Sequence, residues 1–308
     1  MNKKTITVLN NYGFMIKLKI NDNMKKKIEY DSEVSFSEDF ENPSEDQSTE
    51  EARIKFEKDY QKIKEMRKSV KAPVDSMGSA LCPDKTIQET DYKTYKFQAL
   101  ISLLLSSQTK DNITFQATKN LISYGLSISS MLKTPKEKIV ELIYQVSFHN
   151  NKAENIKNIA KEIREKYKDD PPEELSKLVK LKGIGYKMAL IYLKDVCGKI
   201  EGIAVDTHIH KIANRLGWAE TKTPEKTRKR LEEIIDKTYW EEMNPILVGF
   251  GQEICKSVKP KCSECTLKNN CEWYKEELKR QVEKEKEKGV NKSKSKCKSK
   301  SKKRRKTK

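Results

Sequence analysis

The stretch Leu181-Lys182-Gly183-Ile184-Gly185-Tyr186-Lys187-Met188-Ala189 sets two glycines around one apolar residue, between runs with helical spacing. That pattern predicts a helix, a tight hairpin and a second helix. Pro172 to Val179 supplies the first helix, with Asp170 as its expected N-cap and a proline early in its first turn. Gly183 and Gly185 end it, because glycine takes positive φ at little cost and leaves its N–H groups bare. The second helix opens near Tyr186 with its positive end outward. A turn of this kind holds a phosphate without reading a base. Gly183 and Gly185 are therefore candidate backbone contacts to a nucleic-acid phosphate, with Lys182 beside them as a further phosphate contact.

Lys187 falls in the first turn of that second helix, where the helix dipole disfavours a cation and burial favours a free, nucleophilic amine; a bound phosphate acts the other way. Asp206, in Val205-Asp206-Thr207-His208, is the residue expected to face it. A helix from Tyr186 to Val196 runs outward about 16 Å, and an extended Gly198 to Val205 retraces up to about 25 Å. The alternative makes Lys187 a solvated helix lysine and Asp206 only the N-cap of a helix from Thr207 to Leu216.

Leu-x-Gly-Ile-Gly-x-Lys-x-Ala followed by Val-Asp-Thr-His resembles the helix-hairpin-helix and aspartate loop of the endonuclease III family of DNA glycosylases. The resemblance runs from about Ala72 to Tyr274 and is closer to the eukaryotic branch. Lys182 departs from it, standing where the family usually has proline. The implied fold is all-α: a two-lobed helix-hairpin-helix DNA glycosylase with a C-terminal [4Fe-4S] cluster loop and disordered termini. The implied activity is excision of oxidised pyrimidines followed by β-elimination at the abasic sugar, with Lys187 as nucleophile and Asp206 assisting. Lys187 argues against the adenine-excising mismatch relatives, which lack a lysine there. The rival reading is a non-catalytic helix-hairpin-helix DNA-binding protein with a structural metal cluster.

Upstream, Tyr95 to Leu105 is apolar nearly all round, which predicts a buried helix. It ends at Ser106-Ser107-Gln108-Thr109-Lys110-Asp111, before a helix from about Asn112 to Tyr124. Taken structurally, Gln108 is a loop residue and Asp111 an N-cap. The resemblance implies a junction that faces DNA at Gln108 and Asp111, with Gln108 filling the gap left by an extruded nucleotide. Ser147-Phe148-His149-Asn150-Asn151 matches the family's second wedge loop loosely, since Ser147 replaces the usual glycine, and an apolar Phe148 is expected in the core. Helices are also expected over Pro135 to Tyr144, Lys152 to Tyr167, Thr207 to Leu216, from Thr223-Pro224 onward, and Pro245 to Ile254.

Cys255, Cys262, Cys265 and Cys271 form C-x6-C-x2-C-x5-C directly after that last helix. With no signal peptide, clustered cysteines read as a metal site; His149, His208 and His210 are the only histidines and suggest no histidine site. Zinc and a [4Fe-4S] cluster both accept four thiolates, but zinc usually uses two short knuckles and only one short pair exists here. The resemblance implies the cluster. Between the first two cysteines, Lys256, Lys259 and Lys261 are candidate phosphate contacts, with a solvated charge run as the alternative.

A formal charge of +18 calls for a polyanionic partner, expected to be double-stranded DNA with a damaged base or abasic site, bound by a monomer. No apolar run is long enough to span a membrane. With 35% hydrophobic and 36% charged residues, part of the chain is expected to lack a core. The expected organisation is a disordered region over residues 1–51, a core over 52–274 containing the cysteine loop 255–271, and a charged helix with a basic disordered tail over 275–308. Within the first region, Phe14 to Ile20 alternates as a strand does, and Glu29 to Glu51 carries ten acids without a lysine or arginine. The tail from Asn291 carries eleven basic residues and no acid, which fits nuclear import, non-specific DNA binding or both. The expected location is the nucleus, with a mitochondrion or another DNA-containing organelle if the N-terminus is a presequence.

Overall fold

A computed structural model of the chain describes residues 4–9, 15–20 and 47–283. It divides into two units, Met1–Asp46 and Gln47–Lys308. In the first, β1 (Lys4–Leu9) and β2 (Met15–Ile20) form an antiparallel hairpin with Lys4 opposite Ile20 and Leu9 opposite Met15. The hairpin and the start of a helix at Gln47 fall within the segment 1–51 expected to be disordered, the rest of which lies outside the described residues. The strand-like alternation seen near Ile20 finds a partner in the β-branched run Thr5-Ile6-Thr7-Val8. Most of the acidic stretch and the basic tail lie outside the described residues.

The second unit is helical throughout its described residues and holds two apolar cores. The first core is built on α3 (Tyr92–Ser106), buried continuously from Tyr95 to Leu105 as its sequence predicts. Around it lie α4 (Asp111–Tyr124), α5 (Ile128–Lys133), α6 (Lys136–Leu142), α7 (His149–Tyr167) and α9 (Tyr186–Cys197). Each fully buried leucine or isoleucine there contributes about 1.5–3 kcal/mol. The second core joins both ends of the unit: Phe56, Tyr60 and Ile63 of α1 (Gln47–Lys68) pack with α10 (Thr207–Leu216), α11 (Pro224–Ile234) and α12 (Trp240–Glu253). Trp218 Nε1 donates to Asp59 Oδ2 at 3.1 Å and fixes α1 in place. Beyond the cysteines the chain is helical over 272–283.

Three elements differ from their sequence expectations. The helix before the hairpin, α8, is only Leu175–Leu178 with Glu174 as N-cap; Pro171-Pro172 hold the chain extended for longer. Asp170, expected to cap it, instead pairs with the buried Lys96 ammonium, which Glu173 also reaches at 3.0 Å. At the start of α4 the N-cap is Lys110, and Asp111 occupies the first helical position. Finally, α12 starts five residues before Pro245, which it accommodates internally.

Candidate active site

The hairpin joins α8 to α9, and its two glycines have separate tasks. Gly183 has φ +91°, and a Cβ there would lie 2.5 Å from Asn155 Nδ2 and 3.0 Å from Leu104 Cδ1. It is required by the fold. Gly185 is the extended N-cap of α9 at φ −101°, so only one of the pair uses the left-handed region expected of both. A Cβ on Gly185 would meet no protein atom within 4 Å. What it leaves room for lies outside the protein. Gly183→Ala is therefore expected to cost about 1–3 kcal/mol of stability, and Gly185→Ala to cost under about 1 kcal/mol, because the poorer alanine cap is partly offset by the reduced entropy of the unfolded chain, while weakening DNA affinity. Parallel thermal melts and binding titrations check both, and a stability loss in the second variant as large as in the first would refute the assignment.

Lys187 is half-buried in the first turn of α9, where the N–H groups of residues 186–188 lack intrahelical acceptors. It forms no hydrogen bond or ion pair with any described residue. From Gly198 the chain returns along α9, with the Gly202 backbone against Leu190, and reaches Asp206 at the N-terminus of α10. Asp206 is also half-buried, and its Oδ1 accepts from Ile209 N at 2.8 Å. The capping role is thus real, yet it engages one oxygen only. No ion pair joins Asp206 to Lys187. A cleft lies one to two turns along the same side of α9, lined by Tyr95, Ile191 and Lys194 of the first lobe and Asn244 and Pro245 of the second.

Two exposed residues hold left-handed backbone: Gln108 at φ +51° and Phe148 at φ +58°. Each costs about 1–3 kcal/mol in a residue that is not glycine. Phe148 is 60% exposed, so the expectation that it belongs to the core is corrected. Asp111 is not free, since its Oδ2 accepts from Gln252 Nε2 of the other lobe at 2.8 Å. Sequence reasoning missed Lys152, buried beneath Gln108 and bonded to its loop. The available signal was its spacing: Lys152 stands on the apolar stripe of Ile156, Ile159 and Ile163.

Cys255, Cys262, Cys265 and Cys271 line one cavity with Leu216, Phe250 and Ile254. Burial raises all four thiols, Cys265 to about 11, and the neighbouring cysteines push Cys262, Cys265 and Cys271 further. Among the described residues, no three potential ligands are placed to hold a single metal ion. The four thiols line one cavity, a donor set that zinc and an iron–sulfur cluster both accept. Arg215 of α10 fixes the loop between the first two cysteines, donating to the carbonyls of Cys255, Lys256 and Ser257 at 2.9–3.2 Å and to Cys255 Sγ at 3.3 Å. Lys256 and Lys261 lie 3.9 and 3.6 Å from Glu253 and Glu264, whereas Lys259 is exposed at φ +51°.

Residues 101–237 match the HhH-GPD superfamily base excision DNA repair proteins. Endonuclease III-like protein 1 of Mus musculus is 44% identical over 211 residues, covering 68% of this chain and 69% of its own. The endonuclease III homolog of Encephalitozoon cuniculi is 41% identical over 225 residues, 69% of this chain and 92% of its own. The chain belongs to the endonuclease III family. As a family member it is a DNA N-glycosylase and abasic-site lyase of base excision repair. A solved non-covalent endonuclease III–DNA complex has the same fold, with a TM-score of 0.63 at 24% identity over 74% of this chain and 98% of that one. The all-α, two-lobed architecture of the family is therefore the one observed. No described helix is long and apolar enough to cross a membrane.

Proposed function

We propose that this endonuclease III family protein excises oxidised pyrimidines from duplex DNA and cleaves the resulting abasic strand through an imine on Lys187. The observation that carries the reading is a half-buried Lys187 amine with no partner among the described residues, in the first turn of α9. Its lone pair attacks the sugar anomeric carbon, and the N-glycosidic bond breaks with its electron pair leaving on the base. Loss of the amine proton and opening of the sugar leave an imine. The imine acidifies the 2′ protons; removal of one expels the 3′ phosphate by β-elimination, and hydrolysis returns the amine. Asp206 accepts the amine proton and balances positive charge developing on the sugar.

Gln108 and Phe148 fill the space of the extruded nucleotide, which offsets part of the unstacking cost. Lys182, Gly183, Gly185, Lys256, Lys259 and Lys261 contact phosphates and position the duplex. Cys255, Cys262, Cys265 and Cys271 would hold a [4Fe-4S] cluster. Bound there, it cross-links the loop that presents the lysines. Purified protein is expected to be brown with about four iron and four sulfide per chain; one zinc in colourless protein would overturn this. The protein acts as a monomer, in the nucleus or a DNA-containing organelle. Borohydride trapping on an abasic duplex tests the mechanism, because a non-catalytic binding protein forms no covalent adduct.

A further inference from the structure

Lys152 sits where a lysine is hard to accommodate. It is 4% exposed and lies in the first turn of α7, where the helix dipole disfavours a cation. No carboxylate among the described residues offsets it; burial holds the ammonium down at about 8. Its Nζ instead donates to Leu105 O at 2.8 Å, to Ser107 O at 2.6 Å and to Thr109 Oγ1 at 3.2 Å. These acceptors surround Gln108 and include carbonyls at the end of α3, which have no partner within their own helix. Phe148 is the N-cap of the same helix, and its carbonyl accepts the first bond of α7, from Lys152 N at 3.0 Å. The Lys152 side chain therefore ties the first turn of α7, which Phe148 opens, to the turn that carries Gln108. Gln108 and Phe148 are both exposed, and both hold left-handed backbone.

We infer that Lys152 is a positioning residue that locks the Gln108 and Phe148 loops together, so that the two side chains enter a duplex as one rigid unit. The inference rests on the reading of Gln108 and Phe148 as wedges. Two loops that moved independently would have to be ordered at the moment of nucleotide extrusion. Here their relative placement is set beforehand by three charge-assisted bonds in a water-poor site. A phosphate-binding role does not compete, since the ammonium is buried and all its donors are used. A purely structural role does compete, and it makes a different prediction: loss of Lys152 would then slow every substrate alike.

The test compares single-turnover cleavage of one oxidised pyrimidine in a duplex and in the same strand unpaired, where nothing has to be wedged apart. Lys152→Met keeps the apolar stem and removes the donors. It is expected to slow the duplex reaction about ten-fold or more while changing the unpaired strand by no more than about two-fold. Gln108→Ala, run beside it, should show the same duplex-selective loss. If Gln108→Ala does and Lys152→Met does not, the locking role is wrong and the wedge reading stands. If Gln108→Ala shows no such selectivity, the wedge reading falls and the inference with it. Equal losses on both substrates for Lys152→Met would make it a fold residue only. Should that variant not fold, Lys152→Gln, which retains donors, takes its place: a duplex-selective loss supports the locking role, and equal losses on both substrates overturn it.

Discussion

Replacing Lys187 with glutamine is expected to abolish borohydride trapping and strand cleavage while leaving affinity for an abasic duplex nearly unchanged. The asymmetry follows from where the interactions lie. Lys187 makes no hydrogen bond or ion pair with any described residue, so glutamine breaks none of these and the variant should keep its stability within about 0.5 kcal/mol. The proposed phosphate contacts are spread over the hairpin and the loop held by Arg215, so deleting one cation should remove a small part of the binding. The chemistry has no such reserve, because an amide nitrogen has no available lone pair for attack on the sugar and cannot form an imine. The measurement is a trapping gel and a single-turnover cleavage assay beside a binding titration. A covalent adduct formed at the normal rate by the glutamine variant would remove Lys187 from the mechanism.

How much of this was legible in the sequence depended on how local each cause is. The hairpin, the capping of α10 by Asp206 and its closure by Gly217 at φ +74° are set by neighbouring residues, and they are read correctly from spacing alone. At Gly185 the expected positive φ is not found, because a glycine beside open space looks the same in sequence as one needed for positive φ. Asp111 reads as a cap until Gln252, 141 residues later, takes its carboxylate across the lobes. Phe148 reads as core because side-chain chemistry says nothing about a backbone that turns the ring outward. The grouping of the four cysteines around one cavity follows from their spacing, but the clamp by Arg215 requires the packing of α10 against the end of α12.

Asp206 offers the sharper separation of chemistry from architecture, because it does two things with two oxygens. Oδ1 caps α10 through Ile209 N at 2.8 Å, and no described residue engages the other oxygen. Asparagine caps a helix about as well as aspartate, whereas alanine forfeits about 1 kcal/mol. Asp206→Asn should therefore keep the denaturation midpoint, and Asp206→Ala should lower it. If the carboxylate takes the amine proton and balances the cationic sugar, both variants lose its charge and both should slow base excision about 10²–10⁴-fold. If Asp206 is a cap alone, the asparagine variant excises at the wild-type rate and only alanine shows a defect, in step with its stability. A substrate that already contains an abasic site bypasses glycosidic cleavage, so strand scission there should suffer less than excision of an intact lesion. Single-turnover rates on both substrates at saturating enzyme, beside denaturant titrations of both variants, separate the two roles.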